Sequence, residues 1–492
     1  MKASRVVSGL VICMAIWFSA RSLDAQPQAD SPWPMFRQNA ERTGLSAYAG
    51  SPSGDLAWSY QTQGPFHCSA AIGSDGAVYI GSHDNMLYAL TASASLKWSY
   101  LTNDSVDGSP VVDASGRVLT GSDDNRLYAL ASNGALAWSY GTGDVVESPA
   151  AIGTDGTVYF GSQDNGIYAL TPSGALKWSY IAAGAIYNDS PAIGAGGRIY
   201  AGSDDNRLYA FTAAGALVWS YAGGDDFDST PALGANEKVY MGSYDNNFYA
   251  FTSAGALGWS YLMGDIADCS AAIAPEGTLY MGSDDNRLYA FTSAGALLWS
   301  YVTAGWVEGS PSLGAQGTIY TTSGDNNIYA FTSAGKLLWS YVTGETLYYS
   351  SPAIDAEGMV YVGSHDNRLY VFDGGQADMV LNGRTFGVGN AFQATFKLNK
   401  SIGRSFTAYA VVIMPGGSML NARTLTPNLQ PVASNVPGLN APFTYPLISV
   451  NIPAGAPSGT YEVVAAFFDP LLPITGRGDA FLEASRTFTI GQ

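Results

Sequence analysis

The sequence predicts an all-β chain, an eight-bladed β-propeller with four-stranded blades followed by an antiparallel β-sandwich, and three observations carry that expectation. The first is a repeat. Trp-Ser-Tyr begins at Trp58, Trp98, Trp138, Trp178, Trp219, Trp259, Trp299 and Trp339, and an Asp-Asn pair begins at Asp84, Asp124, Asp164, Asp205, Asp245, Asp285, Asp325 and Asp366, eight copies of each at a period of about 40 residues. Strand-like content at such a period is the signature of propeller blades, one small sheet per repeat. The second is composition: 13% charged residues, 13% aromatic residues and 58 Gly suit short strands and tight turns better than long solvated helices. The third is the order of strand-like pieces at the two ends of the repeat, which decides how the ring closes.

In chain order, residues 1–25 read as a secretory signal: Lys2 and Arg5 precede the apolar run VVSGLVICMAIWFSA, and Leu23-Asp24-Ala25 offers a small residue for cleavage. Ile12 precedes Cys13 where a lipid-anchor motif wants a small residue, and an uncleaved N-terminal anchor is the alternative. The rest of the chain has no apolar run near the ~20 residues of a helical span. The expected product is therefore exported, to the periplasm or the cell surface and medium. The formal charge of the full chain, −18, argues against nucleic acid and anionic membrane as partners, which need clustered Lys and Arg.

Residues 26–54 form a lead-in that contains WPMFRQNAERTGLS at 33–46, and the propeller is expected over 55–373. The unit at 147–180 contains four β-rich runs, ESPAAI, TVYFGS, GIYAL and ALKWSY, separated by turn residues. The Asp-Asn pair falls in the middle hairpin, where Asn takes the left-handed conformation and Asp bonds its own turn, without the closely spaced oxygens of a calcium loop. The Trp of each Trp-Ser-Tyr is expected to pack against the neighbouring blade. The propeller opens with a lone fourth strand, DLAWSY at 55–60, and ends with three, SSPAI, MVYVGS and RLYVFD. One plus three completes the last blade and removes the open edge. Residues 374–492 lose the repeat and alternate as AFQATFKLN, FTAYAVVIM, LISVNIP, TYEVVAAFF and ASRTFTI, which predicts an antiparallel sandwich that resembles immunoglobulin-like accessory domains of bacterial surface proteins.

The words GTVYFGSQDNGIYALTPSGALKWSY resemble the pyrroloquinoline-quinone-type (PQQ-like) propeller repeat over about 55–373, and the lead-in is similar to a segment found before such repeats in exported bacterial proteins. The resemblance implies either a scaffold, as in outer-membrane assembly, or a quinoprotein enzyme with a calcium-held cofactor, an adjacent Cys pair, a catalytic Asp and long loops that roof the site. Here the docking-Trp pattern of the enzymes is altered: the stretch Ala169 to Trp178 is one residue short, with Thr171 for the acid or amide and Ser173-Gly174 for Thr-Gly. There is no Cys-Cys pair, and blades of about 40 residues leave no insertion for a roof. Cys68 and Cys269, three blade steps apart, are expected to be unpaired.

Repetition also supplies an internal comparison, because positions that pack must stay constant and positions that vary are free for another task. Just before the first strand of each unit stand His67, Asp107, Glu147, Asn188, Asp228, Asp268, Glu308 and Tyr349, five of them carboxylic acids. The first strand of a blade lines the channel, so these eight are expected to ring one mouth. Nearby loops add Asp104, Asp144, Asp225, Asp226, Asp265 and Glu345, and Phe66, Tyr187, Phe227, Trp306 and Tyr348 are expected as aromatic surface on that face. The turn position before Asp-Asn also varies, as His83, Asp123, Gln163, Asp204, Tyr244, Asp284, Gly324 and His365. His83 and His365 fall on adjacent blades and could share a metal, but are read as unrelated side chains on solvated turns.

The functional expectation is an exported, non-catalytic binding or scaffold protein that presents this acidic and aromatic face to a protein, peptide or cationic ligand. The alternatives are a quinone-dependent oxidoreductase and an outer-membrane-assembly scaffold. No cofactor is expected, PQQ least of all, and calcium is the cation the carboxylates would suit. Whether the ring is a site or a solvated rim stays open at this point.

Overall fold

The computed structural model describes residues 31–374, apart from 188 and 189, and the backbone of strands between Ala377 and Ile490. The expected signal at 1–25 lies outside these residues, as do the segments that connect the strands of the sandwich expected after 373.

Eight four-stranded antiparallel sheets follow one another, and in the last of them Leu56–Gln61 pairs with Arg368–Phe372. The one-plus-three closure is thus as expected. In blade three the strands are Ala151–Ile152, Val158–Gly161, Gly166–Leu170 and Leu176–Ile181. The innermost strand is two residues long because the sheets converge on the axis. The next two strands are covered on both faces by neighbouring blades and read as almost unbroken apolar runs, whereas the outer one alternates with exposed positions. Core clusters accordingly span successive blades: Tyr159, Ile167 and Ala169 of blade three pack with Ile199, Tyr209 and Phe211 of blade four.

The repeated words turn out to be the fasteners between and within blades. Each Trp indole donates to a carbonyl in the last hairpin of the next blade, as Trp138 Nε1 does to Pro172 O at 3.1 Å. The indole lies over Gly174, whose φ is 83° and where a Cβ would come within 2.6 Å of the ring. Around the ring, Trp339 finds the same partners in the lead-in, Ser51 O at 3.1 Å and Gly54. The Asp of each Asp-Asn is a clasp. Asp124 accepts the Tyr128 hydroxyl at 2.5 Å and the Asn103 amide at 3.0 Å, while Asn125, at φ 67°, accepts the Thr142 amide through its carbonyl at 2.9 Å. The carboxylate thus ties the middle hairpin to the loop that enters its own blade, and the Asn carbonyl ties it to the loop that leaves for the next.

The lead-in is more than a lead-in, for it fills the channel. The inner strands face the axis with an unpaired edge, and such buried amides need acceptors. Carbonyls of Trp33, Pro34, Ala40, Glu41, Thr43 and Gly44 accept the amides of Ile72, Val112, Ile193, Leu233, Ile273 and Leu313 at 2.7–2.9 Å, one in each of blades one, two, four, five, six and seven. Two arginines supply the complementary donors. Arg37 donates to Ala271 O at 2.7 Å and to Pro311 O, and Arg42 donates to Ala150 O at 2.9 Å and Pro191 O at 3.2 Å. Both are fully buried, and burial pulls their guanidinium pKa values down to about 10 and about 9, still charged at neutral pH.

Candidate functional site

One mouth of the channel is lined as the variable register predicts. His67, Asp107, Glu147, Asp228, Asp268, Glu308 and Tyr349, seven of the eight ring positions, border a single cavity of about 60 Å³, and Asn188 lies outside the described residues. Phe36 of the channel segment also borders it, so the plug contributes to the wall of the cup.

The walls are held by a belt of hydroxyls. The amides of Ser69, Ser190, Thr230, Ser270, Ser310 and Ser351 each donate to the hydroxyl one blade further on, at 2.9–3.1 Å. Pro149 interrupts the belt because it brings no hydroxyl. Cys68 and Cys269 belong to the same wall and are unpaired thiols, as expected. Each takes the amide of a strand-two glycine, Gly81 at 3.3 Å and Gly282 at 2.9 Å, where other blades use Ser148, Ser229 and Ser350. Burial pushes the Cys68 thiol up to about 12 and the Cys269 thiol also upward, which keeps both protonated and inert.

The expected face aromatics divide. Trp306 is 50% exposed and meets Tyr348 edge-on with ring centres 6.4 Å apart, and Tyr187 is partly exposed. Phe66 and Phe227 are fully buried between blades and offer no surface, which corrects that expectation. The reason is a register slip. The residue whose amide bonds the preceding blade is Phe66, Val106, Val146, Ile186, Phe227, Ala267 or Val307, always apolar and fully buried. Blade four therefore carries one extra residue after Ile186, and blade eight one after the buried Leu347, which sends Tyr187 and Tyr348 to the mouth. Tyr349 adopts a left-handed φ of 54°, a strained conformation for an aromatic residue. The loop acids Asp104, Asp144, Asp225 and Asp265 are exposed and cap the amide that follows each of them.

The second variable register, at the hairpin tips, meets the ring from above. Gln163 donates to Glu147 at 3.2 Å and the Tyr244 hydroxyl to Asp228 at 3.2 Å. Two acidic groups result, Asp107 with Asp123 and Glu147, and Asp268 with Asp284 and Glu308, each with carboxylate oxygens within 4.8 Å of one another. Burial, then like charge, pushes Glu308 up to about 9 and Glu147 and Asp123 up to about 7. Asp268 and Asp284 are held up for the same two reasons. These five carboxyls therefore hold their protons more tightly than solvated ones would.

The histidines overturn the expectation that they are unrelated. His67 lies 3.8 Å from His83 and 4.3 Å from His365 between ring centres, stacked on the latter at 15°. His83 Nε2 bridges both oxygens of Asp107 at 2.8 and 2.9 Å. Burial, then the neighbouring His83, lowers His67 to about 4, while the Asp107 hydrogen bond raises His83. The sequence signal was the coincidence of two variable registers on neighbouring blades, one reaching over the other.

A family model described as "Outer membrane protein assembly factor BamB" matches residues 44–190, 183–274 and 267–380. Among solved structures the chain is similar to BamB from Moraxella catarrhalis, at 20% identity and a TM-score of 0.56 over 65% of this chain and 99% of that one. It is similar to the computationally designed Ika8 protein at 14% identity and a TM-score of 0.56, over 64% of this chain and 98% of that one. A europium-containing methanol dehydrogenase gives 14% identity and a TM-score of 0.60 over 71% of this chain and 99% of that one. No curated protein matches the chain. At these identities the structural likeness establishes the propeller fold and leaves the chemistry to the residues of the mouth.

Proposed function

This chain belongs to the PQQ-like repeat family described as outer membrane protein assembly factor BamB, and from that membership we propose that it is an exported, non-catalytic scaffold whose channel mouth receives a positively charged group of a partner. The observation that carries the reading is the convergence of Asp107, Glu147, Asp228, Asp268 and Glu308 on one cavity. Carboxyls gathered at low dielectric repel one another and take up protons, and a bound cation relieves both costs while the protons leave. A cavity of about 60 Å³ accommodates a calcium ion, a lysine ammonium or an arginine guanidinium. Ligand sites for cofactor-sized molecules run to roughly 300 Å³ and more. That contrast, the altered docking-Trp pattern and the lack of roofing loops favour a scaffold over a quinone enzyme. In an envelope-assembly role, the cationic group would be a Lys or Arg on a loop of another exported protein, with Trp306 and Tyr348 beside it as the apolar part of the contact.

The test is a thermal-shift titration of the full chain with calcium and, separately, with a lysine- and arginine-bearing peptide. Either is expected to raise the melting temperature, and the triple variant Asp228→Asn, Asp268→Asn, Glu308→Gln is expected to lose that response while staying folded. An undiminished response in the variant, or no response of the native protein to both probes, would overturn the proposal.

A further inference from the structure

All three histidines of the chain meet in one place, although they come from positions 67, 83 and 365. Nothing in the 40-residue period requires this. At the hairpin-tip register the other blades carry Asp123, Gln163, Asp204, Tyr244, Asp284 and Gly324, and at the ring register no other blade carries His. His67, on the ring of blade one, sits between the rings of His83, on the hairpin of the same blade, and His365, on the hairpin of blade eight. Asp107 faces two of them, 2.8 Å from His83 Nε2 and 3.9 Å from His67 Nδ1. One donor atom from each of His67, His83 and Asp107 lies within 4.8 Å of the others. His365 adds a buried Nε2 that has no hydrogen-bond partner among the described residues.

Packing alone does not call for this set. Stacked imidazoles expose little apolar area, and a buried ring nitrogen without a partner forgoes a hydrogen bond that water would have given it. A shared cation is what an unpaired imidazole lone pair, two further imidazoles and a carboxylate have in common. The imidazole donors also distinguish the cluster from the oxygen-only acidic groups, one of which shares Asp107 with it. Oxygen-only sets suit calcium and magnesium, whereas imidazole suits zinc, nickel, copper and cobalt. Ligand atoms about 2.0–2.2 Å from a central zinc lie roughly 3.3 Å apart in a tetrahedron. The present spread, up to 4.8 Å, is wider than that, so binding requires the side chains to draw together around the ion.

We propose that His67, His83 and Asp107, with His365 as fourth donor, form a binding site for a divalent transition-metal ion of the zinc class at the channel mouth. The ion would join blade eight to blades one and two, across the seam where the chain's first strand closes the ring. The site shares Asp107 with the acidic pocket proposed above but adds imidazole nitrogens where that pocket offers oxygens alone, and the triple variant that tests the pocket, Asp228→Asn, Asp268→Asn, Glu308→Gln, keeps all four donors of this site, so the two readings fail distinguishably.

The experiment is calorimetric titration of the chelator-treated full chain with zinc, and absorption spectroscopy with cobalt, whose ligand-field bands report nitrogen ligation. One equivalent of zinc is expected to bind, and His67→Gln and His83→Gln are each expected to weaken it by at least about tenfold. Calcium in tenfold excess should leave zinc in place. Unchanged affinity in both histidine variants, or displacement of zinc by that calcium, would overturn the proposal, as would failure of the native protein to bind zinc. Should either variant fold poorly, the native protein still decides. Zinc is expected to slow acylation of the histidines by diethyl pyrocarbonate, and equal rates with and without zinc would refute the site.

Discussion

The amide of Ser351 donates to Ser69 Oγ at 2.9 Å, across 282 residues of sequence. That bond is the last link of the hydroxyl belt, and it lies on the same seam as the pairing of Leu56–Gln61 with Arg368–Phe372. Replacing Ser69 by Ala leaves a buried amide without its acceptor and is expected to lower stability by about 1–3 kcal/mol in denaturant unfolding. Deleting residues 1–60 removes the plug and the closing strand together and exposes both a sheet edge and a blade face. Light scattering should show aggregation of that product, and a soluble, cooperatively unfolding one would contradict the closure.

Arg42 is expected to be among the residues most sensitive to substitution outside the blades. Arg42→Met strands the carbonyls of Ala150 and Pro191, which now accept its guanidinium, for an expected loss of about 3 kcal/mol. Arg42→Lys should recover only part of it, since one ammonium cannot reproduce the fork. Urea midpoints of the three proteins give the comparison.

Stability should fall as pH rises toward alkaline values. Unfolded carboxyls titrate near ~4, whereas the folded state holds Glu308 up to about 9 and Glu147 and Asp123 up to about 7. The folded state thus keeps protons that the unfolded chain has released, so the contribution of these groups is complete at acid pH and disappears as pH passes through 7 to 9. Melting temperatures between about pH 6 and pH 9 should decline, and Glu308→Gln should flatten the upper part of the decline.

Two glycines with similar backbone separate strain from contact. Gly76 has φ 72° with open space around it, and Gly174 has φ 83° with the Trp138 indole against it. Gly76→Ala is expected to cost about 1 kcal/mol, the left-handed penalty alone. Gly174→Ala must in addition displace the indole that joins two blades, and thermal denaturation should show a drop at least twice as large.

Cys68 and Cys269 should resist alkylation in the folded protein and react fully once it is denatured without reductant. Mass measurement reads both states. A single intramolecular bridge in the denatured sample would mean that the two cysteines are not three blades apart.

Much of this was legible in the chain because a ring of equal blades makes sequence register and spatial register the same thing. A Trp every 40 residues must meet the same hairpin in each neighbour, and the closing strand at 55–60 announces itself by lacking three companions. Offset counting likewise put seven of the described ring residues on one cavity. It misplaced Phe66 and Phe227 because counting back from Ser-Pro ignores the extra residue that blades four and eight carry before it. The role of the lead-in was not legible at all. A segment that pairs through its backbone carbonyls leaves almost no side-chain pattern, and its turns fall at Arg37, Gln38, Arg42 and Gly44, all at positive φ and three of them not glycine. The histidine cluster escaped for a different reason: it joins two registers whose relative height above the channel is a matter of hairpin length and tilt.

The plug has a consequence for how the repeat can change over generations. Near-identical tandem repeats gain and lose copies readily through unequal exchange, and a seven- or nine-bladed product would keep every Trp-to-hairpin and Asp-to-Tyr contact unaltered. Only the channel would notice. The carbonyls of Trp33, Pro34, Ala40, Glu41, Thr43 and Gly44 meet inner strands in an irregular series fixed by the turns of the segment itself, so a ring of another circumference leaves some amides facing nothing. The non-repeating segment in the channel thereby serves as a gauge of copy number, and selection for blade count can act through it even where the packing words of one blade match those of the next.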